Sequence, residues 1–238
     1  MREYIKFLCE HKFVDALVTT TGAVEEDIMK CLNDTYIGDY VVDDREFRKK
    51  GINRIGNMMV PNENYCSFED FLVPNILEMH KEQDTMGTRW TPSKFIKRLG
   101  QSIDHKDSVL YWCAKNDIDV FSPALTDGAV GDVLFFHSYK KGRFILDINE
   151  DYTKICDFYE GGQKKAALIF GGGTVKHHVM NAAKHHGGLD YTIVINTAEN
   201  FDCSESGAVL EDQISRGKLK GDSEFVKVTG EVSIIAPI

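Results

Sequence analysis

The sequence is short of several things. Among 238 residues there are only two tryptophans and five prolines, and no Cys-x-x-Cys pair. The cysteines Cys9, Cys31, Cys66, Cys113, Cys156 and Cys203 stand far apart. A zinc ribbon and a thioredoxin-type motif are thereby excluded, and the reduced thiols of a cytoplasmic protein are expected. No apolar run approaches the roughly 20 residues that cross a bilayer, so no membrane partner is expected. The opening stretch MREYIKFLCEHKF mixes charges with apolar residues and lacks a signal-peptide core. Basic residues are in deficit: 28 Lys and Arg against 37 Asp and Glu give a net charge of −9. That balance argues against a nonspecific nucleic-acid binder and suits an acidic pocket for a polycationic ligand.

The remaining composition is that of a globular protein. Hydrophobic residues make up 42%, enough to build a core and to argue against global disorder. A single domain over residues 1–238 is expected. The apolar positions Tyr4, Ile5, Phe7 and Leu8 predict a helix over 2–12. VDALVTTTG (14–22) reads as a buried strand entering a loop, and AVEEDIMKCL (23–32) as a helix with acids in its first turn. Residues 33–66, rich in Asn, Gly and Pro, read as a long irregular loop. A helix is expected over 67–83, started by Ser67 and ended or bent at Pro74. Further helices are expected near 91–103, 107–116, 130–142 and 148–162.

IDVFSPALTDG (118–128) is a second strand running into a loop. The clearest unit is 165–188, where the apolar strand Ala166–Phe170 meets three glycines and then a helix. LDYTIVINTAEN (189–200) repeats the strand-to-loop pattern, and the late stretches FVKVTG and SIIAPI bracket another junction. Strands alternating with helices imply an α/β fold: a Rossmann-like, mainly parallel sheet with helices on both faces. Ligands of such sheets lie beyond the carboxyl ends of the strands. The polar ends TTTGAVEED, PALTDG, GGGTVKHH and NTAENFDCSESG are therefore expected to converge on one crevice. The chain opens on a helix with no strand before it, so the strand that comes first in such sheets is expected to be missing.

Glycines in GGGTVKHH let a backbone approach a phosphate at a helix N-terminus, with Lys176 and His177 in the first turn. A tight turn would use the same glycines. The pairs His177–His178 and His185–His186 lie eight residues apart, not the i, i+4 spacing of zinc ligands on a helix, so no metal is expected. His177 is suited to move a proton near neutrality. Carboxylates crowd the loops at Glu25, Glu26, Asp127, Asp132, Asp202, Glu205, Glu211 and Asp212. Most carboxylates only solvate a surface, but a set shared by several strand ends would match the ammonium groups of a polyamine. Lys218 follows a glycine in ISRGKLK. By sequence alone it reads first as a surface lysine, although a lysine whose pKa is depressed can also form a Schiff base with a carbonyl or an imine.

The strings LVTTTGAVEED, GINRIGNMMVPNENYC, WTPSKFIKRLG, VFSPALTDGAVGD, FFHSYK, GGGTVKHH and INTAENFD, with the late Gly217–Lys218, resemble deoxyhypusine synthases, nearly collinearly over the chain. The resemblance implies NAD-dependent transfer of the aminobutyl group of spermidine to one lysine of the eukaryotic translation initiation factor 5A precursor. It implies a tetramer with active sites between paired subunits. It assigns Lys218 as the imine-forming lysine and His177 as the proton acceptor. Thr20, Thr21, Gly22, Glu26, Asp127, Gly172, Thr197, Ala198, Asp202, Glu231 and Val232 fall at NAD positions. Glu25, Glu26, Asp132, His177, Cys203, Glu205, Asp212, Arg216 and Lys218 fall at spermidine positions.

The chain also departs from the family pattern. Arg216 stands where the family has Trp, Glu205 for Asp, Asp212 for Glu and Cys203 for Gly. Glu231 and Val232 replace Asp and Ala. An arginine in place of an aromatic face is expected to repel a polyamine. These departures open a second reading, an impaired paralog that pairs with an active subunit.

Overall fold

The computed structural model describes the whole chain, Met1–Ile238. Helix α1 (Arg2–Glu10) leads into the short strand β1 (Ala16–Val18) and helix α2 (Thr21–Leu32). Thr20 caps α2, its hydroxyl accepting from the Ala23 amide, so the helix starts two residues earlier than the sequence suggests. The stretch 33–66 is not an irregular loop. It forms β2 (Tyr36–Ile37), α3 (Asp44–Lys49), β3 (Ile52–Ile55) and β4 (Met58–Pro61), and the strands make a small antiparallel sheet in the order β2-β4-β3.

Helix α4 runs over Asn62–Met86, starting well before Ser67 and continuing through Pro74. Phe68, Leu72, Ile76 and Met79 are buried along one side of it. That burial outweighs the roughly 3 kcal/mol that an internal proline costs. The Asn75 side-chain amide donates to the Phe71 carbonyl beside the proline.

Helices α5 (Pro92–Ile103) and α6 (Val109–Asn116) begin at the caps Thr91 and Ser108. Strand β5 (Asp119–Phe121) then pairs in parallel with β1, Ala16 opposite Asp119 and Val18 opposite Phe121. Helices α7 (Ala129–Lys141) and α8 (Ile148–Asp157) precede β6 (Ala166–Phe170), α9 (Gly173–Lys184) and β7 (Leu189–Asn196). Helix α10 (Leu210–Ser215) leads to the long strand β8 (Leu219–Thr229) and the short helix α11 (Val232–Ile235). FVKVTG thus belongs to β8, whereas SIIAPI contains a helical turn. Glu231 starts that turn by accepting from the Ser233 amide, which takes the chain out of the sheet.

The parallel strands form two sheets, β1-β5 and β6-β7-β8, and no strand of the chain hydrogen-bonds to both. Helices flank them in the Rossmann-like manner. One core gathers α1, α2 and α4–α7 around Ile28, Leu72, Phe95 and Leu99. A second lies among α8, α9, α10 and β6–β8 around Ile155, Met180 and Val194. Phe121 belongs to the second core, with Ala16 and Val18 packed against it, so the short sheet ties the two together. The in-register row Leu168, Ile193 and Val226 crosses the larger sheet and stays partly exposed. No helix is long and apolar enough to cross a membrane.

Candidate active site

The residues singled out in the sequence collect in two groups. No hydrogen bond or ion pair of the chain links them. The first group lies where β1 and β5 end. The Thr21 hydroxyl donates to the Ala124 carbonyl at 2.7 Å and lies 3.1 Å from Ser122 Oγ, which locks the two strand ends together. Nothing crowds Gly22, at the start of α2. Glu25 is buried, its Oε1 accepting the Val130 amide at 2.7 Å at the start of α7. Burial pushes the Glu25 carboxyl above its usual value, against the amides of Val130 and Ala129, and Asp132 and Glu26 add repulsion.

Gly128 is required here. A Cβ on it would meet Glu25 Oε1 at 2.6 Å. Glu26 pairs with Lys30 at 2.7 Å. Asp127 and Asp132 are exposed, and no hydrogen bond or ion pair holds the Asp132 carboxylate. A small cleft of about 110 Å³ opens beside this group, lined by Glu25, Glu26, Lys30 and Tyr65 among others.

The second group centres on Lys218. Its side chain is only 3% exposed, an unusual burial for a lysine. Nζ lies 2.9 Å from Glu205 Oε1 and 3.2 Å from His177 Nδ1. His177 is half exposed, on α9, and its Nδ1 is 3.6 Å from Glu205 Oε2. Arg216, also half exposed, approaches the same Oε2 at 3.6 Å. Burial opposes ionisation of Glu205, but Lys218, His177 and Lys176 outweigh it and hold the carboxyl below its usual value.

The glycine stretch before α9 is tightly fitted. Gly171 and Gly173 have φ of 90° and 67°, which favours glycine. A Cβ on Gly172 would meet Ser206 Cα at 2.8 Å. Asn196, at the end of β7, donates to the carbonyls of Gly171 and Ser206 and so joins this stretch to the Glu205 loop.

The other expected residues make no hydrogen bond or ion pair with Lys218, whose Nζ meets only His177 and Glu205. Asp212 is exposed on α10, where its backbone carbonyl accepts from the Ser215 hydroxyl. Asp202 caps its own loop by accepting the Ser204 amide, and Cys203 is exposed. Thr197 is exposed and Ala198 half-buried. Ala198 N–H donates to Asn196 Oδ1. Glu231 is spent on capping α11, with Val232 the first residue of that turn. Sequence reasoning missed Asn196 and Lys227. The one available signal was the Asn that ends the apolar run of β7, since a polar side chain there has to satisfy carbonyls of the next loop.

A buried lysine between a histidine and a carboxylate, next to a glycine-led helix, is equipped for amine chemistry. The family model for deoxyhypusine synthase matches residues 1–238. The chain is 48% identical over 240 residues to a "Probable deoxyhypusine synthase" of Schizosaccharomyces pombe, covering all of this chain and 69% of that one. It is 48% identical over 238 residues to a protein of the same name in Dictyostelium discoideum, covering 63% of it. A crystal structure of a "putative deoxyhypusine synthase" from Entamoeba histolytica superposes with a TM-score of 0.73 at 31% identity, over 99% of this chain and 67% of that one. The chain thus spans about two thirds of the length of the relatives it matches. With the match continuous from the first residue to the last, the chain belongs to the deoxyhypusine synthase family of enzymes.

Proposed function

We propose that the chain carries out NAD-dependent transfer of the aminobutyl group of spermidine to a lysine of the eukaryotic translation initiation factor 5A precursor. The observation that carries this reading is Lys218: buried, with Nζ within 3.2 Å of both His177 Nδ1 and Glu205 Oε1. The open backbone at Gly22, Gly171 and Gly173, where no atom lies within 4 Å of an added Cβ, fits close approach of a dinucleotide. Bound there, NAD supplies the hydride acceptor and, at the end of the cycle, the donor.

The chain's own residues then have defined tasks. His177 takes a proton from Lys218, freeing the amine lone pair. Lys218 adds to the imine carbon of the oxidised polyamine. The bond from that carbon to the departing nitrogen breaks, and 1,3-diaminopropane leaves with a proton. The acceptor lysine repeats the exchange, which returns Lys218 as a free amine. Glu205 stays charged and holds Lys218 in place throughout. The test supplies labelled spermidine, NAD and precursor protein. Label on the precursor is expected, and in its absence borohydride should reduce the Lys218 imine to a stable labelled aminobutyl adduct. A folded protein giving neither overturns the reading.

The first group binds the polyamine's charge on this reading. The Asp132 carboxylate is exposed and has no protein partner, so Asp132→Asn is expected to weaken spermidine binding by roughly 1.5–3 kcal/mol, the range for a charged hydrogen bond. The wild-type affinity should fall steeply with salt. Unchanged calorimetry for the variant removes Asp132 from the site.

Arg216 competes for the carboxylate that a substrate ammonium would use, since its NH1 faces Glu205 Oε2 at 3.6 Å. Arg216→Trp removes that competitor and offers an aromatic face to a cation. Spermidine-dependent transfer should rise by about tenfold, or ~1.4 kcal/mol, through a lower KM for spermidine. An unchanged or higher KM shows that Arg216 does not face the polyamine.

A further inference from the structure

Residues 197–209, between β7 and α10, contain neither helix nor strand, yet they carry Glu205. The carbonyls of such a segment need donors from elsewhere. Lys227, on β8, supplies three of these contacts: its Nζ donates to the Ala198 carbonyl at 2.7 Å, to Asn200 Oδ1 at 3.1 Å and to the Gly207 carbonyl at 3.3 Å. Lys176, on α9, supplies a fourth. Its Nζ donates to the backbone carbonyl of Glu205 itself at 2.8 Å.

Lys176 is 1% exposed, among the most buried side chains of the protein, and the Glu205 carbonyl is its one hydrogen-bond partner. Burying an amine this deeply is costly unless it is bonded, so the contact fixes where the Glu205 backbone can sit. The segment is also closely folded, since a Cβ on Gly207 would meet the carbonyl oxygens of Asp202 at 2.3 Å and Glu199 at 2.5 Å.

We propose that Lys176 and Lys227 are positioning residues: by gripping the carbonyls of 197–209, they present the Glu205 carboxylate to Lys218. The role given to Lys218 rests on the reading above, but the grip on the segment does not. Neither lysine hydrogen-bonds to Lys218, so both act through the backbone that holds Glu205. A displacement of about 1 Å at Glu205 is enough to misplace the amine it orients.

The decisive variant is Lys227→Met, with Lys227→Arg as the conservative partner, because a guanidinium can also donate to several carbonyls. Two measurements need neither NAD nor polyamine: amide hydrogen exchange along the chain, and the rate at which formaldehyde and borohydride methylate Lys218. Lys227→Met is expected to speed exchange within 197–209 and methylation of Lys218, each by about tenfold, while α1–α6 exchange as before. Lys227→Arg should restore both, and Lys176→Met should repeat the Lys227→Met pattern. If the wild-type protein transfers the aminobutyl group, Lys227→Met should lower kcat and raise the KM for spermidine, since Glu205 both holds Lys218 and meets the substrate ammonium.

Wild-type exchange and methylation in Lys227→Met overturn the proposal. So does faster exchange spread across the whole of β6–β8, which makes Lys227 a general stability residue, and so does a failure of Lys227→Arg to restore the segment. A wild-type protein that transfers nothing, but whose segment loosens as described, overturns the enzymatic reading and leaves the grip standing.

Discussion

Lys218→Ala is expected to abolish labelling of the acceptor lysine while leaving some NAD-dependent cleavage of spermidine. The amine is the one in the second cluster that meets both His177 and Glu205, at 3.2 and 2.9 Å. The other buried amine there, Lys176, is bonded to the Glu205 backbone carbonyl. Removing a nucleophile costs on the order of 10³-fold or more, about 4 kcal/mol of transition-state stabilisation. In the proposed reaction hydride removal from the polyamine does not use the lysine, so the first half of that cycle should survive the substitution. Lys218→Arg keeps a cation for Glu205 but no nucleophilic amine, and should be equally silent. The assay follows labelled spermidine into 1,3-diaminopropane and into precursor protein separately. Precursor labelled by the alanine variant would show that Lys218 is not the nucleophile. Loss of cleavage as well would place the lysine in polyamine binding instead.

How far the sequence carried this picture depends on where the signal sat. The unit 166–184 was legible because an apolar run, three glycines and a helix follow one another without interruption. The family strings single out Lys218 and His177, and the structure places their Nζ and Nδ1 3.2 Å apart. The small antiparallel sheet was not legible. Both residues of β2 are exposed, and β3 and β4 are four residues each, too short for a clear period of two among Asn and Gly. Pro74 signals a helix end by local propensity alone, and the buried stripe Phe68, Leu72, Ile76 and Met79 on the same helix overrides it. Lys227 reads as an ordinary strand lysine, since its partners lie 20 to 29 residues away and only the fold brings them close. Asp27 was hidden in the acidic run Glu25–Asp27. Its spacing from Val24 and Ile28 nevertheless puts it on the buried face of α2.

That burial makes Asp27 the site of the largest expected stability loss. The carboxylate is only 4% exposed and accepts four bonds. Oδ1 takes Arg2 Nε at 2.7 Å and the Val109 amide at 3.0 Å. Oδ2 takes the Ser108 hydroxyl at 2.6 Å and the Leu110 amide at 3.1 Å. One side chain of α2 thereby closes the N-terminus of α6 and holds α1 through Arg2, next to the helix turn that carries Glu25 and Glu26. Asp27→Ala leaves two buried amides, the Ser108 hydroxyl and Arg2 Nε without their acceptor. Breaking a buried pair from one side costs about 3–5 kcal/mol, a large share of the roughly 5–15 kcal/mol that holds a domain together. Asp27→Asn should also destabilise, because its amide must point a donor at groups that already donate.

Equilibrium urea unfolding measures the loss as a lower midpoint at an unchanged slope. A cost below about 1 kcal/mol would mean that water replaces the carboxylate easily, against the burial seen here. The part due to Arg2 is separable in a double-mutant cycle. With Arg2→Met already in place, Asp27→Ala strands no cation, so the two losses should sum to more than the double variant shows, by about 1–3 kcal/mol. Strict additivity would assign the whole effect to the capping of α6 and remove Arg2 from the account.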